Sequence, residues 1–283
     1  MSITEKAMLV KPRITMWSGR KQDNRVRDAV KREFDTDPNV GNFTKKLVKS
    51  DALDAYKSVA GEARSYVYQV TLPWEDGGTR MLAASLYYDF RAEMQKFVEK
   101  ADQHASEFVC MYDDLKKDAE LYLGKLYRPS DYPDAAEMRG RFGTSYSITP
   151  IPTIGNWVVE GLEQERAQIE ADLNALYDRK LSEAYQDLWG RLYEQAEKIY
   201  ERLVDPGAIF KSKLIDTAVE VCELMGKLNI NDDQDLSKVT EDFRLKVLGN
   251  NVNVLRANAT KRHETAMEAK KIMDRMSAYM TPA

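Results

Sequence analysis

Between Gly78 and Pro129 the chain runs fifty residues without a proline and with a single glycine, Gly124. No other stretch limits the fold so tightly. Its apolar positions, among them Leu82, Leu86, Phe90, Met94, Phe97, Phe108, Tyr112, Leu115, Tyr122 and Leu126, recur about every 3.7 residues, the period of one helix face and not of a strand. A helix of this length extends roughly 70 Å at ~1.5 Å per residue and needs another long element to cover its apolar stripe. The sequence supplies a candidate. From Asn156 to Asp205 there is again no proline, Val158, Leu162, Ile169, Leu173, Leu188, Leu192, Ile199 and Leu203 keep the same spacing, and Pro206-Gly207 stops the run. The expectation is a mainly α fold built on a long antiparallel helical hairpin, a coiled-coil-like stalk, with a small β-containing head and a C-terminal helical region. The divisions expected are 1–78 for the head, 79–205 for the hairpin with a β connector at 128–153, and 206–283 for the C-terminal helices.

Further helices are predicted over Phe43–Val70, with Gly61 its weak point, and over Ala208–Leu228, Asp235–Leu248 and Val252–Met280. Two segments read as extended. Met8–Trp17 alternates apolar with polar residues, and its Pro12 argues for an edge strand; Thr144–Pro152 has the same character. If the two pair, the N-terminus is pinned to the turn end of the hairpin.

Hydrophobic residues make up 43% and charged residues 31%, enough apolar surface to offset chain entropy and to exclude a disordered chain. No run of ~18 apolar residues calls for a membrane span. Met1–Arg20 lacks the apolar core of a secretory signal, and two cysteines, Cys110 and Cys222, with two histidines, His104 and His263, do not form a disulfide or metal framework. A reducing cytoplasm is the expected setting. Both cysteines sit among apolar helical neighbours and are expected to be buried free thiols.

Catalytic patterns are sparse. Neither a Walker loop nor a dinucleotide fingerprint occurs, no serine, cysteine or carboxylate set is spaced to serve either histidine, and no cofactor motif is present. Asn231–Asp235 has carboxylates at calcium-loop spacing. It lacks the central glycine and the closing glutamate, where Asp242 stands, so it reads as a helix N-cap. Charge is more informative. Residues 1–50 carry a net +6, residues 51–243 a net −15 and residues 244–283 a net +5. Basic ends of this kind dock on the chain's own acidic stalk or that of a neighbouring subunit, or contact nucleic acid. The candidate anion or nucleic-acid contacts are Arg13, Arg20, Lys21, Arg25, Arg27, Lys31 and Arg32 near the N-terminus, with Arg139 and Arg141 in the Arg139-Gly-Arg-Phe-Gly143 turn.

Ile14-Thr-Met-Trp-Ser-Gly-Arg-Lys21, together with Arg141-Phe-Gly-Thr-Ser-Tyr146 and the following Ile148-Thr-Pro-Ile151, resembles a phage-associated family of unknown function over about the first two-thirds of the chain. Members are encoded near AAA+ ATPases of the metal-chelatase or MoxR-like type. The resemblance implies a bacteriophage protein in the host cytoplasm with such an ATPase as partner; it brings no activity to assign to residues. The leading expectation is a non-enzymatic phage protein that self-associates into a homo-oligomer and binds a protein partner. The alternatives are a nucleic-acid-binding factor in phage replication or recombination, and an inhibitor of a host defence complex whose acidic stalk imitates nucleic acid.

Overall fold

The computed structural model describes residues 3–37, 39–153 and 163–280. The chain is mainly helical, as expected. In order, the elements are α1 (Ile3–Lys6), β1 (Ala7–Thr15), β2 (Arg20–Gln22), α2 (Asn24–Phe34), β3 (Thr44–Lys46), α3 (Asp51–Val70), β4 (Leu72–Pro73), β5 (Arg80–Ala83), α4 (Tyr87–Leu123), α5 (Ala135–Met138), β6 (Gly143–Pro150), α6 (Glu163–Val204), α7 (Lys213–Leu228), α8 (Gln234–Phe243), α9 (Val252–Ala257) and α10 (Ala259–Met280). They form two compact units that interleave in sequence. Residues 1–11, 68–90 and 147–283 make one; residues 12–67 and 91–146 make the other. The units therefore do not follow a sequential division at 78 and 205.

In the first unit a small sheet has the order β4-β5-β1-β6, with β1 antiparallel to β5 from Ala7↔Ala83 to Val10↔Arg80. The two segments read as extended are thus neighbours, but β1 is interior and not an edge. Pro12 is tolerated beside β5 because that ladder ends at Val10, two residues before it. The helix α6 buries Ala184, Leu188, Leu192, Ala196, Ile199 and Leu203, one stripe at helical spacing. Its main cover is α10, which buries Ala266, Ala269, Ile272, Met273 and Met276. The partner of α6 is therefore not α4, and the antiparallel hairpin is not what buries this stripe. Val158 and Leu162, counted in the expected helix, lie outside the described residues.

Two arginines tie helix ends together. The last carbonyls of an α-helix lack intrahelical donors and carry partial negative charge. Arg262 of α10, itself buried, donates to the carbonyls of Arg202 (2.7 Å), Leu203 (3.1 Å) and Ala208 (2.9 Å) around the end of α6, and also to that of Asp205. Arg191 of α6 does the same for the end of α3, reaching Tyr68 O at 3.0 Å, Gln69 O at 2.6 Å and Thr71 O at 2.7 Å. At the start of α8, Asp233 accepts from the Asp235 and Leu236 amides, the N-cap expected of that acidic run.

The second unit is centred on aromatic residues. From α4 it buries Met94, Phe97, Ala101, Ala105, Phe108 and Tyr112, the face its periodicity marked. Trp17 lies 5.8 Å from both Phe108 and Tyr112, and Phe142 lies 4.9 Å from Tyr56 and 5.4 Å from Phe108. The buried Tyr56 hydroxyl donates to Thr15 O at 2.9 Å, and Tyr132 donates to Leu47 O at 2.7 Å. Both phenols are anchored as buried polar groups require.

Several boundaries differ from expectation. Leu82 belongs to β5, so the long helix begins at Tyr87. The predicted helix from Phe43 is instead β3, a connector and α3, because Ser50 accepts from the Leu53 amide and starts the helix there. Residues 208–212 precede α7 instead of belonging to it, a π-helical turn over Arg244–Leu248 follows α8, and Asn258 separates α9 from α10. Cys222 is buried, but Cys110 is exposed on the outer side of α4.

Candidate functional site

The Trp-Ser-Gly-Arg-Lys segment is built as a turn into a ribbon. Trp17 enters the aromatic core, the Ser18 hydroxyl accepts from the Arg20 amide at 3.2 Å, and Gly19 takes φ +65 with its carbonyl accepting from the Leu47 amide at 2.7 Å. A Cβ at Gly19 would lie 2.7 Å from Leu53 Cδ2, so both the backbone conformation and the space require glycine. β2 then pairs antiparallel with β3 in the register Arg20↔Lys46, Lys21↔Lys45, Gln22↔Thr44. Residues alternate faces in a strand, so Arg20, Gln22, Thr44 and Lys46 share one face and Lys21 and Lys45 the other.

The inner face carries a buried ion cluster. The Lys45 side chain is only 2% exposed, and its ammonium meets Asp23 Oδ2 at 3.0 Å, Asp131 Oδ2 at 2.6 Å and the Leu126 carbonyl at 2.6 Å. The contacts to Asp23 and Leu126 are hydrogen bonds, and the one to Asp131 Oδ2 is an ion pair. Lys21 adds a second cation to Asp131 at 3.0 Å, and Arg25 grips Asp23 through two hydrogen bonds of 3.1 and 2.8 Å. Asp23 is also the N-cap of α2, accepting from the Arg25 amide at 3.1 Å. The Arg25 fork, with Lys45 behind it, holds the Asp23 carboxyl well below the usual carboxylate range. Burial works against the charged form of Asp131, yet Lys45 and Lys21 outweigh it and lower that carboxyl too. The cluster fastens the root of α2 to the 126–131 turns.

Above this root, α2 projects an uncovered surface. Asp35 closes the helix in a left-handed conformation at φ 48, its amide bonded to Lys31 O. At ~100° per residue Val26, Val30 and Phe34 fall on one stripe about 80° wide, with Arg27 and Lys31 along one flank. No residue of α2 is buried; Phe34 is 68% exposed. The segment after the helix returns beside it. Phe43 O accepts from the Asp23 amide at 2.9 Å and Asn42 Oδ1 from Gln22 Nε2 at 2.6 Å. Between them lies a groove of about 220 Å³ lined by Arg27, Val30, Lys31, Thr36, Asp37, Val40, Gly41, Asn42 and Phe43.

The nine cations singled out in the sequence do not form one patch. Lys21 and Arg25 serve the cluster, Arg27 pairs with Asp28 at 3.2 Å, Arg139 pairs with Asp102 of α4, and Arg141 lies 3.6 Å from Glu137. Among the described residues Arg13, Arg20, Lys31 and Arg32 have no carboxylate partner, and Arg32 donates to the Asp28 carbonyl at 3.3 Å. Sequence reasoning missed Asp23, Lys45 and Asp131. No local signal marked them, since Arg-Lys-Gln and Thr-Lys-Lys carry no apolar residue to set a strand period.

Elsewhere chemistry is muted. A second cavity of about 230 Å³, within the first unit, is lined by Cys222, Met225, Leu236, Thr240 and Arg244 among others. Burial pushes the Cys222 thiol up to about 12, so it is not a thiolate at neutral pH, and Arg244 is held by a two-bond fork on Glu241 at 2.9 and 3.0 Å. His104 Nδ1 sits 3.0 Å from Glu107 on the surface of α4. Among the described residues no group of three or more His, Cys, Asp or Glu side chains is placed to hold a metal, and no helix is long and apolar enough to cross a membrane. No family model, curated protein or solved structure matches the chain.

Proposed function

We propose that this chain is a non-enzymatic binding protein that engages a protein partner through the uncovered face of α2. One observation carries the reading: an 11-residue amphipathic helix, capped at both ends and fastened at its root by a buried ion cluster, presents its apolar stripe to solvent. Clustered exposed apolar side chains on a held scaffold mark interaction surfaces. Five of the nine candidate cations are paired with carboxylates, and of the other four only Lys31 flanks the apolar stripe of α2. That composition suits a protein surface better than a phosphate backbone, whose binding rests on unpaired cations.

The resemblance in the Trp17–Lys21 and Arg141–Ile151 segments adds a bacteriophage origin, the host cytoplasm and an AAA+ ATPase partner to this proposal. Self-association belongs to it as well, supported by the large apolar side chains that α4 leaves outward, Met111 and the 84%-exposed Leu121.

Site-specific photo-crosslinking tests the reading in cells that make the protein with its genetic neighbours. A benzophenone side chain at Phe34 is expected to give a protein adduct that the same group at exposed Tyr88 does not. No adduct at Phe34, or one made of nucleic acid, overturns it.

A further inference from the structure

Resting on that reading, we infer that the α2 groove takes an acidic amphipathic segment of the partner. One large apolar side chain seats between Val30, Val40 and Phe43, and the segment's carboxylates lie against Arg27 and Lys31. The size of the groove sets the first limit. At about 220 Å³ it falls below the ~300–1,000 Å³ of sites that enclose a small-molecule ligand, but it accommodates a single anchoring side chain. Anchors of this kind, one apolar side chain in a preformed pocket, carry most of the energy of peptide docking on a groove.

The polar groups around the groove set the sign of the charge. Asp37 is the one acidic residue of its lining, and its carboxylate already accepts from the Asn39 amide at 2.8 Å; Asn42 Oδ1 already accepts from Gln22. Asp37 keeps its charge in that bond, so the lining sets two cations, Arg27 and Lys31, against one carboxylate. Lys31 has no carboxylate partner among the described residues, and Arg27 shares only its exposed neighbour Asp28 at 3.2 Å. The face of the β2–β3 ribbon from which Gln22 reaches Asn42 also carries Arg20, and Lys46 on that face is paired with Asp54 at 3.2 Å. An incoming acidic segment meets complementary potential there, and a basic one is repelled.

The same geometry disfavours two other occupants. In an antiparallel pairing of two copies through α2, the Arg27–Lys31 flank of one helix faces the identical flank of the other, so like charges oppose each other. A bilayer surface suits a convex amphipathic helix; here the apolar side chains of Val30, Val40 and Phe43 line a concavity.

Fluorescence anisotropy on the full-length protein provides the test. The probes are a pool of labelled, helix-forming peptides of about 15 residues, with Leu, Phe, Met or Trp as anchor and Glu on both flanks. The matched control pool has every Glu replaced by Lys. The acidic pool is expected to bind, Val30→Ser to weaken it about tenfold or more, and the pair Arg27→Glu/Lys31→Glu to exchange the preference in favour of the Lys pool. Val30 is already exposed, so Val30→Ser leaves the fold intact, and circular dichroism checks this. Three results overturn the inference: equal binding of both pools, no binding by either, or phosphatidylserine vesicles that capture the chain through Val30 and Phe34 where the peptides do not. A dimer in light scattering that Val30→Ser abolishes assigns the face to a second copy and overturns it as well. If the Phe34 crosslink forms while the acidic pool fails, the surface stands and its partner chemistry falls; if both fail, the surface itself is wrong.

Discussion

α2 and α8 are of nearly equal length and equally regular amphipathicity, yet α8 buries Leu236, Val239 and Phe243 whereas α2 buries nothing. Each has an aspartate N-cap, Asp23 and Asp233. The difference is the source of their hold on the rest of the chain. α8 is kept in place by its apolar stripe against α7 and α10. α2 is kept in place at one end, by Asp23 in the Lys45 cluster, and its stripe is left over. An apolar stripe needs cover; where the chain does not supply it and instead fixes the helix by other means, the stripe is available to something else.

The largest effect expected from this contrast comes from truncating the phenylalanine that closes the buried stripe of α8. Phe243 is fully buried, and Phe243→Ala should cost about 3–5 kcal/mol through lost transfer energy and a residual cavity. Hydrogen exchange of the α8 amides would register it as a collapse of protection. Phe243→Ala costing no more than a surface change would break the comparison at once.

Next comes the root of α2. Lys45→Met leaves Asp23 and Asp131 buried without their shared cation, a change that costs roughly 3 kcal/mol when one member of a buried pair is removed. Loss of exchange protection should concentrate in α2 and the 126–131 turns and leave α8 as it was. Acid should act on the same cluster. Both carboxyls are lowered in the folded state, so their contribution is fully present above the unfolded aspartate value of ~3.9 and is lost as pH falls through their lower folded values. Urea midpoints followed from neutral pH into that range should fall, and Lys45→Met, which removes one depressing cation from each carboxyl, should flatten the fall.

Against these two helices, what was legible in the sequence can be stated physically. Apolar period marked the buried faces of α4, α6 and α8, because a stripe is a local property of the chain, and that of α7 only from Ala218 through Met225 to Leu228. The acidic N-cap of α8 was visible for the same reason, whereas Asp23, the N-cap of α2, was not. The partner of α6 was not. α10 covers α6 with small and flexible side chains, Ala266, Ala269, Met273 and Met276, whose weak hydrophobicity made it look a poorer partner than α4. The β2–β3 ribbon was invisible because its six residues, Arg-Lys-Gln and Thr-Lys-Lys, have no apolar alternation; its reason to form is an ion cluster assembled from positions up to 110 residues apart, Lys21 to Asp131. The nine candidate cations were visible, and Lys45, the centre of the cluster, was not. Which of the nine were already paired was not visible either, since their partners Asp102 and Asp131 are remote in sequence.

A pair of glycines sharpens the comparison at intermediate size. Gly19 leads into the ribbon at φ +65 with Leu53 in the way of any Cβ, so Gly19→Ala should destabilise by about 1–3 kcal/mol. Gly61 lies inside α3 with nothing within 4 Å of a built Cβ, and Gly61→Ala should stabilise by about 0.5–1 kcal/mol. Thermal unfolding of the two variants should move the midpoint in opposite directions. A neutral Gly19→Ala would mean that the ribbon is not held as closely against α3 as the contact requires.

The smallest expected effect on stability is the most diagnostic. Phe34 is the counterpart of Phe243 at the end of its stripe, but it has little burial to lose, so Phe34→Ser should change stability by no more than about 0.5 kcal/mol. It removes a large exposed apolar side chain from a surface that has no structural need of it, so solubility should improve while exchange protection in α2 stays unchanged. Partner engagement should fall about tenfold or more, because an exposed aromatic on a fixed helix contributes where it is buried by another molecule. A Phe34→Ser protein that loses several kcal/mol would show that α2 is covered from within after all, and α2 and α8 would then be the same kind of helix.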